Sequence, residues 1–344
     1  MTEPHDTTQE RALDDVRSTR GNRIAGERLA EQRLLDHLMT SLGTPIGALL
    51  EDPHVTEIRL NPDGRIWKTA LGRGRMDTGE TMGVHDARAV LDIVAHAVNK
   101  AQHETSFPAE LPGSGFRFHG VLPPQVPRPV FVIRKKPARV FTLPEYVSSN
   151  IMTQAQHDAI VAAVHARQNM LIVGGTDSGK TTLANAILDV MSKTGDRIVT
   201  IEDTLELICL AEEYVPLRTV RGIRTMQDLV RDCLRMTPDR IIVGEVRGPE
   251  VIDMLGGWNT GHPGGLATIH ANSGYDALER VEDLIRQGGV TPVPRTIAKA
   301  IDLIIYIEQV TEIVAGEKTR RRKISEILTV KGVKGDEYLL EPVL

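Results

Sequence analysis

Aromatic residues are scarce in this chain of 344 residues: five Phe, five Tyr and two Trp, or 3%. The 41% hydrophobic content must therefore be packed from Leu, Ile, Val, Ala and Met, and few rings are left on which bases could stack. A basic excess is also missing. The net charge of −5 argues against a surface dedicated to nucleic acid, which is not expected as a direct substrate. Only two cysteines occur, Cys209 and Cys233, without metal-ligand spacing or a disulfide framework, which fits a reducing cytosol. No run of about 18 apolar residues is present, so no membrane-spanning helix is expected. The opening MTEPHDTTQE is polar and acidic, unlike a signal peptide. The expectation is a cytoplasmic protein that works at a membrane only through partners.

What is present falls into two rhythms. Residues 1–27 are polar without apolar periodicity and are expected to be a flexible terminus. From Arg28 to Leu50, Leu and Ile recur at helical spacing. Strand-like runs follow at 55–60 and 65–69 around Asn61-Pro62-Asp63-Gly64, then a helix over 84–100 and strands at 116–121 and 130–135. Residues 28–136 thus read as a smaller α+β domain. Residues 137–150, with two prolines and two serines, read as a linker.

Over 151–344 strands and helices alternate. Strand-like runs fall at 170–173, 197–201, 240–243, 266–270 and 303–307, which predicts a mostly parallel sheet covered on both faces. The fold class expected is α/β: a RecA-like P-loop C-terminal domain with a smaller α+β N-terminal domain. The basic Thr319–Lys323 is expected to be a charged turn in a terminal hairpin.

Gly174-Gly175-Thr176-Asp177-Ser178-Gly179-Lys180-Thr181 matches G-x-x-x-x-G-K-[ST], between an apolar strand and a helix. Successive backbone N–H groups of such a loop converge on a phosphate, and glycines keep side chains out of the way. Lys180 reaches the β/γ oxygens, Thr181 offers a hydroxyl to Mg²⁺, and Thr182 lies in the first helical turn that carries the helix dipole. ATP and Mg²⁺ are the expected cofactors.

Hydrolysis also needs a group to orient water. Two strand ends supply carboxylates: Glu202, Asp203 and Glu206 after 197–201, and Glu245 after 240–243. Functional groups gather at the carboxyl ends of strands in such sheets. Glu202 and Asp203 equally suit the cap of a following helix. His270 ends another strand, where a histidine is as readily structural as functional. Arg218, Arg221, Arg224, Arg231 and Arg235 suit a solvated surface, with room for an arginine finger among them.

Taken in order, four segments resemble the ATPases of type II and type IV secretion systems, and most nearly the TrbB-type conjugal-transfer ATPases of the type IV branch. They are VTEIRLNPDG (55–64) with Trp67, IEDTLEL (201–207), LRMTPDRIIVGEVRG (234–248), and WNTGHPGG (258–265) followed by TIHAN (268–272). The resemblance implies two-domain subunits in a homo-hexameric ring, with ATP between the domains. Segment 201–207 would be the family's Asp box, 241–245 its atypical Walker B and 268–272 its His box. Glu206 would position the water, Glu245 would serve Mg²⁺ and water, and His270 would order the γ-phosphate. Arg117 and Arg134 match strands from which the family's N-terminal domain sends arginines to the nucleotide. Partners would be inner-membrane components of a conjugative apparatus, and the work pilus biogenesis or substrate transfer.

Two positions depart from the family pattern: Asp177 stands where glycine is usual, and Thr237 where arginine is usual. On the residues alone, a nucleic-acid translocase and a nucleotide-gated scaffold remain open readings.

Overall fold

The computed structural model describes residues 7–71, 73–98, 105–136, 139–220, 222–314 and 317–343, and the chain divides into two compact units, 1–138 and 139–344.

The first unit opens with α1 (Thr7–Glu51), broken at Gly43 and containing Pro45. Residues 7–27 therefore do not lack regular structure, as their polarity suggested. They contain no proline, and four Arg, two Ala and two Glu favour a helix although no apolar stripe runs along it. Six strands follow: β1 (Val55–Leu60), β2 (Arg65–Ala70), β3 (Gly74–Thr81), β4 (Ser106–Glu110), β5 (Arg117–Val121) and β6 (Val130–Arg134), with α2 (Val84–Ala97) between β3 and β4. They form an antiparallel sheet in the order β3-β2-β1-β6-β5-β4. Leu38, Leu42 and Ile46 of α1 and Val90, Leu91 and Val94 of α2 pack with Ile58, Phe118 and Phe131 of the sheet. β3 and β4 escaped the sequence reading because both are edge strands with no apolar alternation to announce them.

The second unit begins with α3 (Leu143–Ser148), inside the stretch expected to be a linker. Thr142 and Glu145 explain the difference. The Glu145 carboxylate accepts from Thr142 N (2.8 Å) and Thr142 Oγ1 (3.1 Å), starting a helix that buries Leu143 and Tyr146. Residues 137–138 of that stretch lie outside the described residues. After α3 come α4 (Gln154–His165), β7 (Met170–Val173), α5 (Lys180–Met191), β8 (Ile198–Glu202), β9 (Tyr214–Arg218), α6 (Met226–Cys233), β10 (Arg240–Val246), α7 (Glu250–Asn259), β11 (Leu266–Ile269), α8 (Ala277–Gln287), α9 (Pro294–Ala300), β12 (Leu303–Val314), β13 (Glu317–Lys334) and β14 (Glu337–Pro342).

The eight strands form one sheet, β14-β13-β12-β7-β11-β10-β8-β9, parallel from β12 to β9, with β13 and β14 added antiparallel. Alternation assigns its two faces. Met170 and Ile172 pack with α3, α4 and α5, whereas Leu171 and Val173 pack with α6 to α9. This is the RecA-like α/β arrangement, with β7 near the middle.

The basic run Thr319–Lys323 is not a turn. It lies within β13, where Gln309 pairs with Arg322 and Glu308 with Lys323, because the long β12 needs a partner for its backbone groups.

The ends of the strands remote from the glycine loop are pinned by a buried ion pair. Arg240 is 1% exposed; its Nε donates to Asp196 Oδ2 (2.5 Å) and its Nη2 to Val164 O (3.0 Å). Burial alone would raise the Asp196 pKa, but hydrogen bonds from Thr194, Arg240 and Arg167 hold it below the ordinary carboxylate value. Removing the arginine strands these acceptors. Arg240→Ala should therefore lower unfolding free energy by about 3–5 kcal/mol, measured by urea denaturation. A loss below about 1 kcal/mol would show that Arg167 and Thr194 suffice for Asp196.

Candidate active site

All four residues of β7 are buried, and the strand runs between β12 and β11 with Val173 level with Tyr306 and Ile269. The chain leaves it at Gly174, where any side chain is excluded: a Cβ would lie 2.2 Å from Ile307 O and 2.6 Å from Ser178 Oγ. The loop closes at Gly179, which caps α5 at φ 102°, a left-handed conformation that suits glycine. Lys180, Thr181 and Thr182 form the first turn of α5, whose N–H groups have no acceptor within the helix. Ser178 is buried, and its Oγ has no hydrogen-bond partner. Asp177 occupies a left-handed conformation at φ 59°, and its carbonyl accepts from Gln309 Nε2 (2.8 Å). Of ordinary residues Asp is among those that tolerate this geometry.

Lys180 is 7% exposed and folds back on its loop, with Nζ donating to Gly174 O (2.9 Å) and Gly175 O (2.8 Å). Its ammonium lies 3.3 Å from His270 Nδ1, and His270 Nε2 lies 2.8 Å from Glu245 Oε1. Burial lowers the His270 pKa below its ordinary 6.5, the Lys180 charge lowers it further, and Glu245 opposes them. Lys180 Nζ lies 3.4 Å from Nε2 as well, beside the ring, so a neutral imidazole suits the adjacent ammonium whichever nitrogen carries the proton. The approach of Nε2 to Glu245 is close but poorly aligned, and Glu245 Oε1 is buried without a hydrogen-bond partner.

Glu245 owes its position to an irregularity. The pairing of β10 with β11 shifts between Val243 and Val246, so the strand bulges where the carboxylate emerges. Its other oxygen accepts from Arg247 Nη2. Arg247 also reaches Asp203 (3.4 Å) and lies within the electrostatic influence of Glu206. Sequence reasoning passed over Arg247, which directly follows β10 and stands two residues after Glu245.

Glu206 sits in a stretch without helix or strand after β8. Two buried side chains shape it. Glu202 Oε1 accepts from Glu206 N (2.9 Å) and Leu207 N (3.0 Å), while Asn185 of α5 donates to Glu206 O (3.1 Å) and accepts from Ile208 N (2.8 Å). Glu202 and Asp203 cap no helix; Asp203 accepts from Thr219 and Arg247. Asn185 was missed because nothing local marks one buried amide on a helix.

Arg117 and Arg134 belong to the first unit, opposite each other on β5 and β6, with Glu110 and Glu57 at neighbouring paired positions. Arg231 bonds Asp253 (3.1 Å), and Arg224 and Arg235 lie within 4.0 Å of Asp232. Arg218 ends β9, and Arg221 is outside the described residues. Thr237 is exposed and left-handed at φ 49°.

The donor set can be tested against Mg²⁺. Among the described residues no three His, Cys, Asp or Glu side chains cluster to hold a metal. Mg²⁺ that arrives on nucleotide phosphates needs only one or two protein oxygens, and the candidates for that part are the Thr181 hydroxyl and Glu245 Oε1, which is buried without a hydrogen-bond partner among the described residues.

A phosphate loop at the C-terminal end of a central parallel strand, faced by carboxylates from neighbouring strands, defines a P-loop nucleotide-binding protein of the RecA-like class. The comparisons narrow the class. Residues 101–333 match the family described as Type II/IV secretion system protein. The chain is 42% identical over 313 residues to the conjugal transfer protein TrbB of Rhizobium radiobacter, covering 90% of this chain and 94% of that one. It is 41% identical to a probable conjugal transfer protein TrbB of Sinorhizobium fredii, covering 90% and 93%. The chain belongs to the type II/IV secretion protein family. Solved structures share the fold: the Legionella pneumophila ATPase DotB has TM-score 0.59 at 21% identity, covering 83% of this chain and 81% of that one. The pilus retraction motor PilT with bound ADP has TM-score 0.58 at 20% identity, covering 86% and 82%.

The contacts of His270 set the sign of a titration. Without nucleotide its imidazole should titrate below 6.5, followed by NMR of the ring protons. Lys180→Ala should raise that value by removing a like charge, and Glu245→Gln should lower it by removing an opposite one. A wild-type value at or above 6.5 would show that the ring is not packed against Lys180.

Proposed function

We propose that this chain is the Mg²⁺-dependent ATPase of a conjugative type IV secretion apparatus. It would act as a homo-hexameric ring that powers pilus biogenesis or substrate transfer. It docks on inner-membrane components at their cytoplasmic face. The observation that carries the reading is the convergence of Lys180, at the start of α5, with His270 and Glu245, at the ends of β11 and β10, and with Glu206 within electrostatic reach of Arg247. The relatives' role in conjugal transfer supports the setting.

In this reading the amides of Gly174 to Thr182 cradle the phosphates, and Lys180 exchanges its two loop carbonyls for β/γ oxygens. Mg²⁺ carried by ATP would neutralise charge developing on the β- and γ-oxygens. Thr181 and Glu245 would hold that ion. Glu206 and Glu245 orient the water that attacks the γ-phosphorus, and His270, neutral at pH 7, donates or accepts without adding charge. By the family resemblance, Arg117 and Arg134 would add phosphate contacts. Hydrolysis then drives relative motion of the two units.

Lys180→Ala should abolish turnover and transfer with the fold intact. Glu245→Gln should bind ATP with near-normal affinity but hydrolyse it about 100-fold or more slowly, since the cradle survives while water activation is lost. The wild-type protein, weighed with a nonhydrolysable analogue, should have the mass of a hexamer. Normal transfer by cells carrying only the Lys180→Ala chain would sink the mechanism. A monomer equally active at all dilutions would remove the ring.

Asp177 brings a carboxylate-bearing residue into the phosphate loop, where glycine also fits φ 59° without strain. Asp177→Gly should tighten ATP binding by about fivefold, the lower end of the repulsion expected near the surface. The measurement is a nucleotide titration of both proteins at fixed Mg²⁺ and salt. Weaker binding by the glycine variant would assign the carboxylate a useful contact.

A further inference from the structure

Strand order gives the glycine loop two different sides. On one, β11 and β10 deliver His270 and Glu245. On the other, β12 outruns β7: Tyr306 is level with Val173, the last residue of β7, so the hairpin from Ile307 onward lies alongside the loop. Two residues that face each other across this hairpin, Gln309 and Arg322, both meet the loop. Gln309 donates to Asp177 O, and the Arg322 side chain passes over Gly179, where a Cβ would lie 2.9 Å from its Cδ and 3.0 Å from its Nε.

Arg322 is poorly satisfied there. Its Nε is buried without a hydrogen-bond partner, and among the described residues no carboxylate lies within ion-pair distance of its guanidinium. The neighbour that feels its charge is the buried Tyr146, whose hydroxyl burial keeps protonated. A buried arginine N–H with no acceptor is costly, and a ligand anion would relieve the cost.

We propose that Arg322 binds the nucleotide at its α-phosphate. The inference rests on the ATPase reading, which requires the γ-phosphate to face His270 and Glu245. A nucleotide lying across the loop then turns its nucleoside end toward β12 and β13. A guanidinium beside Gly179 meets the first phosphate there, and its planar N–H groups match phosphate oxygens. Lys180 and Arg322 thus hold the phosphate chain from opposite sides, one near the bond that breaks and the other near the nucleoside.

The test compares dissociation constants of fluorescent ATP and ADP analogues for the full-length wild type, Arg322→Gln and Arg322→Lys, with melting temperatures as the check on folding. Arg322→Gln should weaken ATP and ADP by the same factor, about tenfold, because both carry the α-phosphate. Arg322→Lys should recover part of that loss. At saturating ATP kcat should be little changed while KM rises, as for binding lost equally from ground and transition states. Unchanged constants in a folded Arg322→Gln protein would overturn the inference, leaving Arg322 a packing residue against the loop. Weakening of ATP without ADP would also overturn it, by moving the contact to the γ-phosphate. Failure of the wild type to bind either nucleotide would remove the ATPase reading itself, and this inference with it.

Discussion

An eight-residue loop must aim its backbone N–H groups at one point, and it can do so only if both its ends are immobile. Here the first end is β7, buried on both faces and paired on both edges, and the second is the buried α5. Gly174 shows how tight the fit is, since Ile307 O leaves no room for a Cβ. The surroundings then acquire roles from their position relative to this loop. Strands on one side bring proton-handling and carboxylate groups, and strands on the other bring amide and guanidinium donors.

A second constraint is electrostatic. Lys180, His270, Glu245 and Arg247 form a chain of alternating partners in a partly buried place, where unpaired charge is expensive. Lys180 spends its donors on its own loop carbonyls, so phosphate oxygens can take over contacts already made. Keeping His270 neutral prevents two adjacent cations. Arg247 ties Glu245 to Asp203 and so links the ends of β10 and β8.

Positioning residues also bear on the site. Asn185 and Glu202 give a definite course to a segment that has no ladder of its own, and so fix where the Glu206 backbone runs. Both are almost fully buried, and each spends its amide or carboxylate on backbone groups that would otherwise be unsatisfied. The bulge in β10 does comparable work for Glu245, turning the carboxylate out of the plain alternation of the strand.

The sequence by itself determined the α/β class, the central strand–loop–helix that carries Lys180, and the names of Glu245 and His270 as residues at strand ends. These are local signals: runs of four or five buried aliphatics, a glycine spacing, a polar residue where an apolar run stops. Tertiary structure decided what depends on partners distant in the chain. The pairing of Gln309 with Arg322, which turns an expected charged turn into a strand beside the loop, is a matter of register, set by a hairpin that periodicity does not reveal. The edge strands β3, β4 and β9 exist because neighbours offer them hydrogen bonds, not because their residues alternate. Asn185 gained its contact with Glu206 from 21 positions away and Arg247 its contact with Asp203 from 44, and no local pattern of residues encodes such a distance.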